Sequence, residues 1–165
     1  LKKNDITLPF GLYVVNAVQE EIGLRGAQMI AANIKPNVAI ITDVCHDTQS
    51  PGYNKSKEGD FTCGKGPVIT FAPSVQNNLR EMIMEVADKE KIAYQLSISN
   101  SSTGTDTDAF AYSSGGIASA LISLPLKYMH TTVETAHKDD VKDIINLIYA
   151  FLIQLQEDHD FRDIK

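Results

Sequence analysis

A chain of 165 residues, 43% hydrophobic and 22% charged, has material for one sizeable hydrophobic core and is short for two. Its 15 basic and 21 acidic residues give a formal charge of -6, and neither sign gathers into a block, which excludes the basic footprint of a nucleic-acid or anionic-membrane binder. The apolar runs fall well short of the roughly 20 residues that span a bilayer, no secretory leader opens the sequence, and Cys45 and Cys63 lack both zinc-ribbon spacing and the numbers for a disulfide framework. The expectation is a cytoplasmic protein with no nucleic acid and no membrane among its partners.

Leu12–Val18 is rich in β-branched and aromatic residues and predicts a strand. Leu24 to Asn33 follows Gly23 and predicts a short helix, with Leu24, Ala27, Met29, Ile30 and Ala31 as its apolar surface and Pro36 marking its exit. Val38–Asp43 is a second strand, so strand, helix and strand together suggest a right-handed parallel βαβ unit. From His46 to Gly66 the pattern is polar and glycine-rich, and a loop of that length is uncommon unless it covers a site or holds small irregular elements.

Val68–Phe71 predicts a short strand, and Pro73–Ala87 a helix with Val75, Leu79, Met82, Ile83 and Val86 inward. Tyr94–Ser99 alternates as a strand. Ser101–Asp108 is a polar turn in which either aspartate, Asp106 or Asp108, could cap the helix that follows. Gly115-Gly116 ends that helix, Ile117–Leu124 is a buried strand stopped by Pro125, and a last helix starts near Lys138 or Asp139 with Val141, Ile144, Ile145, Ile148 and Leu152 as its inward stripe. With no linker and no repeat, the fold class is one α/β domain: a three-layer α/β/α sandwich with a mostly parallel or mixed sheet.

The chemistry collects at strand ends. Glu20 and Glu21 follow the first apolar run, Asp43 ends the second, and His130 follows the run Leu124-Pro-Leu-Lys-Tyr-Met. Each has a plainer reading on its own: a solvated acid pair, a carboxylate on backbone amides, an edge histidine. Together, carboxylates and a neutral imidazole suit zinc, cobalt or manganese better than a thiolate site would. Adjacent glutamates also allow one to ligate while its neighbour takes a proton, provided the turn breaks strand alternation. His46 is expected in a supporting or loop role, His137 at the start of the last helix, and His159 in a polar terminal segment. Cys45 reads as a small buried side chain. Gly64-Lys-Gly66 and Gly23-Leu-Arg-Gly26 lack the spacing of nucleotide-binding loops.

Gln19-Glu-Glu-Ile-Gly-Leu-Arg-Gly-Ala27, Asp43, Gly64-Lys-Gly-Pro67, Gly104-Thr-Asp106 and Tyr128-Met-His130 occur in order across nearly the whole chain, and in them the sequence resembles the M42 family of metallo-aminopeptidases. The resemblance implies the fold of the co-catalytic zinc aminopeptidases, and a metal-dependent aminopeptidase that removes N-terminal amino acids from peptides. It implies Glu20 as general base, Glu21 as a ligand of one metal, and Asp43 and His130 as further ligands of a centre of two divalent ions, zinc or cobalt. For Asp106 it favours a structural or substrate-pocket role.

The family's upstream histidine and bridging aspartate have no counterpart before Glu20, and neither does its inserted β-rich domain. Residues 1–165 thus look like a partial catalytic domain, its C-terminal portion, with a partial or empty metal site. Lys127 and Thr131 stand where the family has arginine and serine. The resemblance also implies a homo-oligomer in the parent protein. The alternative is a noncatalytic α/β structural or assembly domain.

Overall fold

The computed structural model describes Leu1 and residues 4–161. Its elements run α1 (Arg25–Ile34), β1 (Val38–His46), α2 (Lys55–Glu58), β2 (Val68–Phe71), α3 (Asn77–Glu90), β3 (Gln95–Ile98), α4 (Asp106–Ala111), β4 (Ala118–Lys127), β5 (Thr135–Ala136) and α5 (Lys138–Gln154). The sheet order is β1-β4-β2-β3, and β5 pairs with the end of β4. β1 lies parallel to β4 and β2 parallel to β3, while β4 and β2 are antiparallel, so the sheet is mixed.

β4 is the spine of the core because helices cover both its faces. Ala118, Ala120 and Ile122 pack on one side with Leu79, Ile83 and Val86 of α3 and Leu147, Ala150 and Phe151 of α5. Leu121 packs on the other side with Ala39 and Ile41 of β1, Ala27 and Ala31 of α1, and Ala109 and Phe110 of α4. The result is the three-layer α/β/α sandwich, and burial from both faces explains why β4 reads as an unbroken apolar run rather than an alternating one.

The expected βαβ unit does not form. Residues 12–18 make no strand: Val14 is 92% exposed, and Leu12, Tyr13, Val15 and Val18 are exposed with it. High β-propensity alone does not make a strand, which needs a ladder partner, and among the described residues β1 pairs only with β4. β4 also runs through Pro125 rather than stopping there. Its pairing with β2 ends at Ser123, so Pro125 has a ladder on its β1 flank alone, a setting that tolerates a residue without an N–H.

Two helix faces differ from the expectation, α5 at two positions and α1 at one. In α5 the buried residues are Asp140, Leu147, Ala150 and Phe151, with Ile144, Ile148 and Leu152 packed partly against them, whereas Val141 and Ile145 face out. In α1 the small Ala27 and Ala31 are buried, and Met29 is exposed. The α3 stripe follows its expected spacing, with one polar intruder: Arg80 is buried, its guanidinium 3.7 Å from the centroid of the Phe71 ring.

Asp140, in the first turn of α5, is completely buried. Its Oδ2 accepts from the Gly64 amide at 2.7 Å and its Oδ1 from the Gly66 amide at 2.9 Å. Gly64-Lys-Gly66 is therefore a turn built around a carboxylate. Gly66 has φ 91, and a Cβ there would collide with the Ala93 carbonyl. Asp140→Ala leaves two amides without an acceptor and is expected to destabilise the fold by about 2–4 kcal/mol. A urea titration checks this; an unchanged midpoint would show that the turn is held by other contacts.

Candidate active site

Because β1 and β4 are parallel, both deliver their C-terminal ends to the same edge of the sheet. In their register Asp43 lies opposite Ser123 and His46 opposite Leu126, and β4 then leads into the turn that carries His130. The segment Gln19–Leu24, just before α1, arrives at the same edge. The three segments share an open pocket of about 350 Å³ lined by Glu20, Glu21, Asp43 and His130, among others.

Strained turns present these groups. Gln19 has φ 62, Tyr128 φ 60 and His130 φ 61, all in the left-handed region that non-glycine residues avoid, and such strain collects at working sites. After Gln19 the chain tightens: the Gly23 and Leu24 amides donate to the Glu20 carbonyl at 3.1 and 3.0 Å, and the Gly26 amide to the Val18 carbonyl at 2.9 Å. This breaks strand alternation, so both Glu20 and Glu21 reach the pocket. In the other turn the His130 amide donates to the Glu134 carboxylate, and the Thr131 hydroxyl to the Tyr128 carbonyl at 2.6 Å.

His130 Nε2 lies 3.1 Å from Glu21 Oε1. Asp43 accepts its own strand's Val44 amide at 2.7 Å. Burial, and then repulsion from Asp43, Glu21 and Asp106, pushes the Glu20 carboxyl above its ordinary value, with His130 pulling the other way. Burial likewise raises Asp43, opposed by the Val44 amide and reinforced by Glu21. Asp106, the first residue of α4, is raised by burial and by Asp43, and its Oδ1 has no hydrogen-bond partner among the described residues. The cap of α4 is Thr105, whose hydroxyl accepts from the Thr107 amide, while Asp108 accepts from the Thr103 and Gly104 amides.

The fourth wall is the His46–Gly66 loop, which contributes Thr48, Glu58 and Phe61 to the pocket. None of the three stands out in the sequence; the only signal was the length of the loop itself. Its base is closed by hydrogen bonds. Thr48 and Phe61 exchange amide-to-carbonyl and hydroxyl contacts at 2.9–3.2 Å, and buried Asp47 accepts from the Gln49 and Cys63 amides at 2.7 and 3.0 Å. His46 lines the pocket and pairs with the Tyr53 hydroxyl at 2.7 Å. His137 caps α5 through the Asp139 amide, and His159 accepts from the Gln156 amide, neither near the pocket. Cys45 and Cys63 are free thiols that burial pushes up to about 12 and about 11, the wrong direction for a reactive thiolate.

The donor set fits a divalent ion in kind. Two ligands about 2.0–2.2 Å from one tetrahedral ion sit roughly 3.4 Å apart, close to the Glu21–His130 separation. Acids that raise one another's pKa are acids a cation would relieve. In number the set is short: among the described residues no three His, Cys, Asp or Glu side chains lie close enough to hold one ion.

With this geometry in view, residues 1–147 match the family of M42 glutamyl aminopeptidases. The chain belongs to that family. It is 39% identical over 145 residues to the lysyl aminopeptidase of Pyrococcus furiosus, covering 88% of this chain and 41% of that one. Among solved structures it is similar to a TET aminopeptidase from a marine sediment Thaumarchaeota archaeon, with TM-score 0.87, 30% identity, and 94% of this chain and 44% of that one covered. A TET peptidase of Pyrococcus horikoshii that can assemble into a tetrahedron or a large octahedral shell matches with TM-score 0.65 and 30% identity, over 84% of this chain and 40% of that one. The M42 chain described here thus spans about two fifths of the length of the relatives it matches.

Two outcomes are expected. A Cβ at Gly26 would collide with the Val18 backbone, so Gly26→Ala should cost about 1–3 kcal/mol and move the Glu20 and Glu21 resonances in an NMR spectrum; unchanged spectra would show that the turn does not rest on that approach. For Asp47, burial alone would raise the carboxyl, but the Cys63 and Gln49 amides outweigh it and hold it below its ordinary 3.8. A depressed folded value gives stability that is full above the ordinary value and is lost as pH falls through the folded one. Urea midpoints taken from about pH 6 to about pH 3 should fall less steeply in Asp47→Asn than in the native chain.

Proposed function

We propose that this M42 chain is the C-terminal part of an aminopeptidase catalytic domain, and that the complete protein removes single residues from peptide N-termini with the help of two divalent ions, zinc or cobalt. The observation that carries the reading is the meeting of Glu20, Glu21, Asp43 and His130, from three separate segments, in one pocket at the C-terminal edge of the sheet. Glu21 and His130 are the residues to hold one ion, and Asp43 contributes to the other. Bound ions would supply Lewis acidity that polarises the scissile carbonyl and makes water a better nucleophile.

Glu20 is the general base. Its raised carboxyl is a better proton acceptor than an ordinary glutamate, and it accepts the proton of the attacking water and then returns one to the leaving amine. The acidic pocket also attracts the free α-amino group of a peptide, which favours cleavage at the terminus over cleavage within the chain.

The edge of the sheet supports the reading of a partial domain. Among the described residues β1 pairs on one side only, and Leu12, Tyr13, Val14, Val15 and Val18 are exposed, as expected of surfaces that further chain covers. A homo-oligomer is proposed on the assembly of the P. horikoshii relative. Free thiols at both cysteines are consistent with the cytoplasm. Among the described residues no helix is long and apolar enough to cross a membrane.

The test is a peptide panel with varied N-terminal residues, offered to this chain and to the full-length protein after metal removal and titration with zinc, cobalt or manganese. Single-residue release by the full-length protein is expected. Glu20→Gln should lower kcat by about 10²–10⁴-fold with little change in KM, and His130→Ala or Glu21→Gln should weaken cobalt binding, read from its visible spectrum. No release across the panel would favour a noncatalytic assembly domain.

A further inference from the structure

A peptide brings carbonyl acceptors into the pocket as well as a cationic end, and the pocket walls are poor in free donors. Ionised carboxylates only accept. The Thr48 hydroxyl donates to the Phe61 carbonyl and accepts from the Phe61 amide. The Thr105 hydroxyl donates to Thr107, so that of Thr103 donates to Thr105, and the Thr103 and Gly104 amides go to Asp108. His130 faces Glu21. Apart from the weak thiol of Cys45, one side-chain donor on these walls is left uncommitted, the imidazole of His46.

His46 is the last residue of β1, and the four residues from Asp43 to His46 all line the pocket, which thus runs along the strand end. The next amide, of Asp47, donates to the Leu126 carbonyl at 2.8 Å and fixes the backbone there. Tyr53 holds the ring: its hydroxyl lies 2.7 Å from Nδ1, and the two ring centroids are 4.8 Å apart. Tyr53 is placed in turn by the bend at Gly52, with φ 95, and by Asn54, whose side chain caps α2 through the Ser56 amide. Among the described residues the Tyr53 hydroxyl has no other acceptor, and His46 Nε2 has no partner. The Tyr53 proton therefore goes to Nδ1, which puts the proton of the neutral imidazole on Nε2.

We infer that His46 donates this Nε2–H to the carbonyl oxygen of the substrate's second residue, and that Tyr53 is the positioning residue that keeps the proton on that nitrogen. The inference rests on the aminopeptidase reading and adds that the site recognises a peptide, with its second carbonyl, ahead of a single-residue amide. The span agrees. At about 3.3 Å per residue, β1 carries His46 roughly 10 Å past Asp43. A peptide whose amino group lies among the acids around Asp43 extends about 7 Å over its first two residues, and the imidazole covers the remainder. The second carbonyl leaves water on binding, and without a donor it would cost affinity.

The experiment measures kcat/KM of the metal-loaded full-length protein on leucylglycinamide, which has the second carbonyl, and on leucine p-nitroanilide, which lacks it. The native protein is compared with His46→Ala, His46→Gln and Tyr53→Phe. His46→Ala should lower the ratio of the first rate to the second by about three- to tenfold, the worth of one neutral hydrogen bond. His46→Gln keeps an N–H donor and should recover part of that ratio, whereas Tyr53→Phe should lose part of it. With nitrogen-15-labelled histidine in this chain, the His46 signals should show a protonated Nε2 and a bare Nδ1, and Tyr53→Phe should move both toward a mixture of tautomers.

A ratio that His46→Ala leaves as it was, with both substrates slowed alike, would mean that His46 only supports the pocket and would overturn the inference, as would a proton found on Nδ1. Either result leaves the aminopeptidase reading standing. Absence of release from both substrates by the native protein would overturn that reading as well.

Discussion

Everything at the site depends on the parallel pairing of β1 with β4. Parallel strands finish at the same edge, so one ladder, Val38 opposite Ala118 through His46 opposite Leu126, brings Asp43 and the His130 turn to one place although they are far apart in sequence. A slip of one residue would turn every side chain of β1 to the opposite face and would break the packing of Ala39 and Ile41 against α1 and α4. The core therefore fixes the register, and the register fixes the chemistry.

The second constraint is electrostatic. Folding gathers Glu20, Glu21, Asp43 and, at the start of α4, Asp106, and each of Glu20, Asp43 and Asp106 has its pKa held above the ordinary value by burial and by its neighbours. Such an arrangement stores repulsion in the folded protein. The left-handed residues Gln19, Tyr128 and His130 add conformational strain at the same spot. Both costs fall at a place where a bound cation would offset the repulsion.

Much of this is legible in the sequence, and the reasons are particular. β1 as far as Asp43, β2, β3 and the helices α1, α3 and α5 follow from apolar periodicity bounded by Gly and Pro, while β1 runs on to His46, three residues beyond the expected strand. Glu20, Glu21, Asp43 and His130 were legible because each directly follows or ends an apolar run, and the structure brings them into one pocket. Residues 12–18 misled because β-propensity records what a strand would accept, not whether a partner is present. Pro125 misled because its tolerance depends on β2 leaving β4 two residues earlier. Thr48, Glu58 and Phe61 were invisible: no periodicity marks a loop residue, and their place in the pocket follows from hydrogen bonds between positions 13 apart.

Those same bonds make the loop a separable part. Thr48 with Phe61, and Asp47 with Cys63, stitch its two ends together at the base, so residues between them can change while the base holds, Tyr53 excepted, whose hydroxyl pairs with His46 at the end of β1. A lineage could rewrite that stretch and reshape one side of the pocket while the groups at the strand ends stayed where they are. The pocket's loop side and its strand-end side would then evolve on different clocks.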